Sequence, residues 1–240
     1  MEDRDISFWE HVAELRKRLI YSILFIIPAF LLAFMFNDAI VDIISRPVGQ
    51  LYFFSPTEAF TVRLKVAFLS SLLISIPFIV YQGWKFIEPA LYPHEKRVVF
   101  WGLFFSLLMF YAGSALSIFI VSPYGIRFLM QFGGNNLQPM IRATEYVDFL
   151  LYMTIAFALL FQTPVVMVIL ARVGILDPYK VSRYRKHIIF ALFVAAAIIT
   201  PSVDAFGMLA LALPLVLILE VGLIISKIVY RKRRSSLEDS

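Results

Sequence analysis

The stretch WKFIEPALYPHEKR, residues 84–97, separates two long apolar runs. It carries Pro89 and Pro93, the carboxylates Glu88 and Glu95, His94, and the cations Lys85, Lys96 and Arg97. Charges and prolines confined to so short an interval, with unbroken apolar sequence on both sides, read as the tip of a helical hairpin at a membrane surface. The chain around it agrees. Of 240 residues, 60% are hydrophobic and 16% charged, and the mean hydropathy is +0.82. A soluble domain carries about a quarter charged residues. The composition is therefore that of a membrane protein. With no cysteine, disulfides and thiolate metal sites are excluded.

Six apolar segments stand out, at 19–36, 66–84, 98–121, 147–171, 188–200 and 205–225. Continuous apolar runs without alternation predict helices and not a barrel. The expected fold class is all-α, a polytopic protein with six transmembrane helices over 19–228, the last two short. The segment 188–200 spans only about 20 Å as a helix, short of the ~30 Å of hydrocarbon. Residues 1–18 read as an amphipathic helix at the membrane surface, and 229–240 as a disordered basic tail. The nine charges of the first 18 residues do not resemble a cleavable signal peptide. Pro28, Pro77, Pro164 and Pro214 fall inside spans, where each removes a backbone hydrogen bond and favours a kink, so a curved, concave wall is expected.

Seventeen of the 22 basic residues fall on the side shared by the termini, the 84–97 loop and the loop before 188. The other five are Arg46, Arg63, Lys65, Arg127 and Arg142. By the positive-inside bias, both termini are expected in the cytoplasm. The net charge of +5 thus reports orientation, and no nucleic-acid partner is expected.

Candidate functional groups are few. In FWEHVAELRKRL, residues 8–19, Phe8, Val12, Leu15 and Leu19 share one helical face, while Glu10 and Glu14 lie on another. Glu14 has two readings: an i,i+4 pair with Arg18, or a carboxylate facing an incoming cation. Glu95 follows Pro93, where an acid complements the positive helix end. Glu88 precedes Pro89, a helix boundary. His11, His94 and His187 show no metal-ligand spacing, and no metal or cofactor is expected. No hydrolase or phosphate-binding motif occurs, so no enzymatic activity is expected. Two polar residues sit within spans, Gln162 beside Pro164 and Glu220 in the last span. Such groups are functional candidates by default. Gln162 either bonds the backbone freed by Pro164 or docks a partner helix. Glu220 is expected to snorkel or to pair with the loop before 188.

Three stretches occur in order with the spans: HVAELRKRL (11–19), FIEPALYPHEKR (86–97) and ITPSVD (199–204). With them the chain, from about residue 8 to 227, resembles the TatC family, receptor subunits of the twin-arginine protein translocase. The resemblance implies six helices with both termini cytoplasmic in the plasma (inner) membrane. It implies binding of Arg-Arg signal peptides of folded precursors, assembly with the single-span subunits TatB and TatA and with further copies of the chain, and export driven by the proton-motive force. It places the signal-binding acids on Glu14 and Glu95, supporting positions on Leu15, Arg16, Phe86, Pro89 and Arg97, and an outer-loop proline on Pro47; partner-helix docking is expected separately, at Gln162 and Pro164. The chain departs from the family pattern where Gln162 replaces a common glutamate, and where Asp204 falls later after Pro201 than is usual. A secondary transporter for a small solute is the alternative reading. It would want an inverted repeat and a midplane charge site, and no repeat is visible. A third reading is an assembly scaffold that recruits helices without reading signals.

Overall fold

The computed structural model describes residues 8–90, 92–131, 140–199 and 205–238. Almost all of them are helical. In order they form α1 (Phe8–Met35), α2 (Asn37–Ser45), β1 (Leu51–Tyr52), α3 (Pro56–Ile87), α4 (Pro93–Leu116), α5 (Ser122–Gln131), β2 (Ile141–Arg142), α6 (Ala143–Leu160), α7 (Thr163–Val173), α8 (Pro178–Arg183), α9 (Arg185–Ile199) and α10 (Ala205–Glu238). Five segments are long and apolar enough to cross a bilayer: Trp9–Met35, Pro56–Ile87, Val99–Gln131, Ala143–Arg172 and Leu211–Arg231. The protein is a multi-pass, all-helical membrane protein. The fifth expected span corresponds to α9, whose 15 residues extend about 22 Å.

Several boundaries differ from the sequence reading. The amphipathic start and the first span are one uninterrupted helix, α1. The second span begins ten residues early. Ser55 accepts a hydrogen bond from the Glu58 amide at 3.2 Å, and Pro56 supplies the first helical position. That S-x-x-E signature carries helix through Arg63 and Lys65. The third span continues into α5 through a π turn at Ser117–Val121. The fourth breaks at Phe161–Gln162, because Pro164 cannot donate to the Leu160 carbonyl and its ring crowds that oxygen. Pro28, Pro77 and Pro214 lie inside continuous helices. Of the final pair, α9 is the short member. α10 reaches 34 residues because it runs through the stretch read as a disordered tail, as far as Glu238. The turn at 200–202 and ITPSVD beyond Ile199 lie outside the described residues.

The chain divides into two compact units, residues up to 43 with 55–107, and 44–54 with 108 onward. In the first, α1 and α3 pair antiparallel along their length. Phe25 stacks on Phe78 at 4.2 Å. Nearer the α1 C-terminus, Asn37 Nδ2 donates to the Arg63 carbonyl at 2.8 Å. Small side chains at the seam (Ala29, Ala33, Ala67, Ser71, Ser75) are buried and admit close approach of the helices. In the second unit, Val121, Met153, Phe157, Phe161, Ala196, Leu211, Ala212 and Leu215 form the main core. Gly113 is required there, since a Cβ would lie 2.8 Å from the Phe157 carbonyl oxygen.

Candidate functional site

The antiparallel pairing of α1 and α3 brings the start of one helix beside the end of the other. Glu14 is half-buried, and Arg18, one turn on, reaches back to it. Arg18 Nε and Nη2 lie 2.6 and 2.5 Å from Glu14 Oε1. Arg18 Nη1 also donates to Gln82 Oε1 of α3 at 3.1 Å. Gln82 is buried in an otherwise apolar stretch. One turn away His11 stacks on Phe86, ring centroids 4.4 Å apart. Glu14 and Phe86 are thus brought to the same end of the α1/α3 pair, joined through Arg18, Gln82 and His11. The i,i+4 pairing of Glu14 is present. Both guanidinium contacts fall on Oε1, so Oε2 stays open to a further donor among the described residues.

The hairpin tip holds a second charged group. Glu88 begins a 3₁₀ turn, Glu88–Ala90. Lys85 Nζ lies 3.1 Å from its Oε2, and Lys96 Nζ, from α4, lies 3.9 Å from its Oε1. Glu88 therefore neutralises its neighbours. Pro89 and Arg97 are exposed. Glu95 lies in the first turn of α4, with its side chain outside the described residues, as is that of Phe8.

Leu15 and Arg16 do not join the Glu14 group. Both are exposed. Arg16 lines an open trough of about 580 Å³ along the outward side of α1, with Trp9, Val12, Lys17, Ile20 and Tyr21. These positions recur at i, i+3, i+4 and i+7, one helical face. Trp9 is 76% exposed, and Lys17 Nζ stands 5.9 Å from the Tyr21 ring centroid.

The remaining candidates belong to the second unit. Gln162 is half-buried in the break between α6 and α7, its backbone N–H donating to the Leu159 carbonyl at 3.0 Å. Pro164 is buried against Gly222 of α10, where an added Cβ would meet Pro164 Cα at 2.9 Å. Pro164 therefore packs within its own chain. Glu220 does pair with the loop before 188: Arg185 Nε stands 2.5 Å from its Oε1, a buried oxygen without an aligned hydrogen bond. Pro47 sits in a firmly tied loop. Arg127 Nε donates to the Pro47 carbonyl at 2.5 Å, and the Tyr146 hydroxyl to that of Ile44. Gly49 turns the chain at φ +88°. Leu51–Tyr52 then pair in parallel with Ile141–Arg142.

Sequence reasoning missed Gln82, the stacking of His11 on Phe86 and the partners of the Pro47 loop. A lone amide inside an apolar run was the available signal for Gln82. No local signal marks Arg127 or Tyr146. Among the described residues no cluster of His, Asp or Glu is arranged to hold a metal.

The chain is similar to known proteins along most of its length. Residues 10–214 match the family model "Sec-independent protein translocase protein (TatC)". The Sec-independent protein translocase protein TatC of Carboxydothermus hydrogenoformans is 34% identical over 98% of both chains. That of Aquifex aeolicus is 35% identical over 94% of this chain and 96% of its own. TatCy of Bacillus subtilis is 34% identical over 98% and 94%. A crystal structure of the twin arginine translocase receptor TatC superposes with a TM-score of 0.78 at 34% identity, covering 90% of this chain and 99% of that one.

Proposed function

The chain belongs to the TatC family of Sec-independent protein translocase proteins, and on that premise we propose that it is the signal-reading receptor of a twin-arginine translocase. It is a transport protein and not an enzyme. Its ligand in this reading is the Arg-Arg signal peptide of a folded precursor, taken by Glu14 and Glu95 at the cytoplasmic face. The excess of basic residues on the side of the termini supports that orientation in the inner membrane. TatB and TatA, further copies of the chain and the bilayer are its partners, and the proton-motive force drives export. Family membership supports these assignments.

The observation that carries the reading is the setting of Glu14. It is a half-buried carboxylate, already clasping one guanidinium through Oε1, on a helix fastened to its neighbour by Gln82 and Phe86. Two unit charges at 4 Å attract by about 1 kcal/mol in water and about 4 kcal/mol at an effective dielectric near 20. A carboxylate set into a basic, partly shielded surface lies between these limits. A guanidinium presents a planar fork that matches a carboxylate with two parallel hydrogen bonds, and an ammonium does not. The demand for arginine then follows from geometry as well as charge. Pro89, Phe86 and Arg97 shape the hairpin tip that brings Glu95 into play, and Leu15 and Arg16 present the exposed side of α1 to the rest of the peptide. Gln162 is the proposed docking position for a partner helix, and its neutral amide does not titrate, so this reading assigns no proton coupling to that position.

The test is binding of a labelled signal peptide to the purified full-length protein. Arg-Arg peptide should bind, and Lys-Lys peptide much more weakly. Glu14→Ala with Glu95→Ala should weaken capture by about one to a few kcal/mol. Equal affinity for the di-lysine peptide, or unchanged affinity in the double variant, sinks the assignment.

A further inference from the structure

The last helix does not stop where its apolar sequence stops. Leu217, Val221, Ile224 and Ile228 form an exposed stripe along α10. Arg231 follows Ile228 by three residues, is exposed, and continues the same face. From Val221 to Leu237 the sequence holds five cations (Lys227, Arg231, Lys232, Arg233, Arg234) and no acid. The backbone stays helical to Glu238. Lys227 to Arg234 rises about 10 Å, enough to cross a headgroup layer of roughly 5–8 Å on one side of the bilayer.

The neighbouring helix completes this collar. Lys227 Nζ donates to Ser182 Oγ of α8 at 2.9 Å and stands 5.8 Å from the Tyr179 ring centroid. Tyr179 meets Tyr230 edge-on at 6.3 Å. Lys180 and Arg183 of α8 are exposed. Two acids with described side chains near this end, Asp177 and Glu220, have partners of their own. Asp177 Oδ1 accepts from the Tyr179 amide at 2.9 Å to cap α8, and Glu220 pairs with Arg185. The exposed charged side chains described here, Lys180, Arg183 and Arg231, are cationic.

We propose that α10 beyond Ile225, together with Tyr179 and Ser182 of α8, binds the headgroups of anionic phospholipids. Tyrosines sit at the apolar-to-basic junction, as interfacial anchors do. The cations continue a lipid-exposed stripe without interruption, so the surface that meets acyl chains leads directly into the surface that meets phosphates. Juxtamembrane clusters of this size attract acidic leaflets in proportion to their charge. Headgroup binding fixes the depth at which α10 sits, and with it the height of the α8 base packed on it.

The experiment uses the full-length protein, delipidated in detergent and titrated with phosphatidylglycerol or phosphatidylcholine, with bound lipid counted by native mass spectrometry. The wild-type protein should retain phosphatidylglycerol in preference, and added salt should release it. R231Q/K232Q/R233Q/R234Q should lower that retention roughly tenfold or more while leaving the thermal unfolding midpoint unchanged. K227Q, which removes only the cation against Tyr179, should give a smaller loss. Equal retention of both lipids by the wild type, or undiminished phosphatidylglycerol in the quadruple variant, overturns the proposal. So does preferential capture of a polyglutamate peptide over phosphatidylglycerol, which would assign the collar to an acidic protein.

Discussion

At the α1/α3 end, Glu14 is held by a side chain four residues away, whereas in the Pro47 loop the Pro47 and Ile44 carbonyls are held by side chains 80 and 102 residues away. The first region uses a charged pair whose members keep about a quarter to a third of their surface exposed (25% and 35%). The second uses backbone oxygens, a buried tyrosine hydroxyl and a short parallel strand pair. Ion pairs near the surface contribute about 0–1 kcal/mol, so Glu14 can trade one guanidinium for another at little cost. A buried carbonyl stripped of its donor costs about 1–3 kcal/mol, so the Ile44 carbonyl, held by the buried Tyr146 hydroxyl, has no comparable alternative. One region is built for exchange and the other for fixity, although both are polar and both lie at the ends of membrane helices.

The sharpest way to break that contrast is Tyr146→Phe. The change keeps the ring and removes the donor to Ile44. If the loop is a fixed frame, stability falls by about 1–3 kcal/mol, read as a lower thermal unfolding midpoint in detergent, and protease cleaves within 44–54 more readily. Signal-peptide affinity stays the same. An unchanged midpoint would make the loop as exchangeable as the Glu14 site. Arg127→Gln should have a smaller effect, about 1 kcal/mol, because its bond to Pro47 is exposed and water can replace it. Unaltered cleavage in that variant would show that Tyr146 and the strand pair hold the loop without it.

The two regions also differ in how much the sequence revealed. Hydrocarbon admits only internally bonded backbone, so apolar runs reported the spans directly. The Glu14–Arg18 pair was visible because helical spacing makes residues four apart neighbours. The Glu220–Arg185 pair was visible in outline, since a carboxylate inside a span needs a partner. The ties of the Pro47 loop were not, because Arg127 and Tyr146 sit in ordinary contexts and only the fold brings them near. Proline was ambiguous for a related reason. Pro164, buried and pressed on Gly222, breaks its span, while the exposed Pro28 and Pro77 and the half-buried Pro214 do not. The start of α3 did have a local mark, Ser55-Pro56-Thr57-Glu58, masked by the charges at Arg63 and Lys65. The helical end of α10 ran against its composition. A helix already nucleated in the membrane extends into polar sequence without a new nucleation step, and Arg, Lys, Leu and Glu are good helix formers.

The smallest expected effect gives the finest test of exchange. Arg18→Gln removes the guanidinium that occupies Glu14 Oε1 and leaves a side chain still able to bond Gln82. If Arg18 is a resident competitor, its loss strengthens binding of an Arg-Arg peptide by a few tenths to about 1 kcal/mol. The salt dependence should steepen too, because one more unneutralised carboxylate faces the ligand. If Arg18 instead positions Glu14, binding weakens, and the Arg18→Lys variant, which restores charge without the fork, should recover only part of it. The two outcomes have opposite signs, so a titration at two ionic strengths decides between them. A fall in affinity with no change in salt dependence would place Glu14 with the Pro47 loop, among the fixed parts of the molecule.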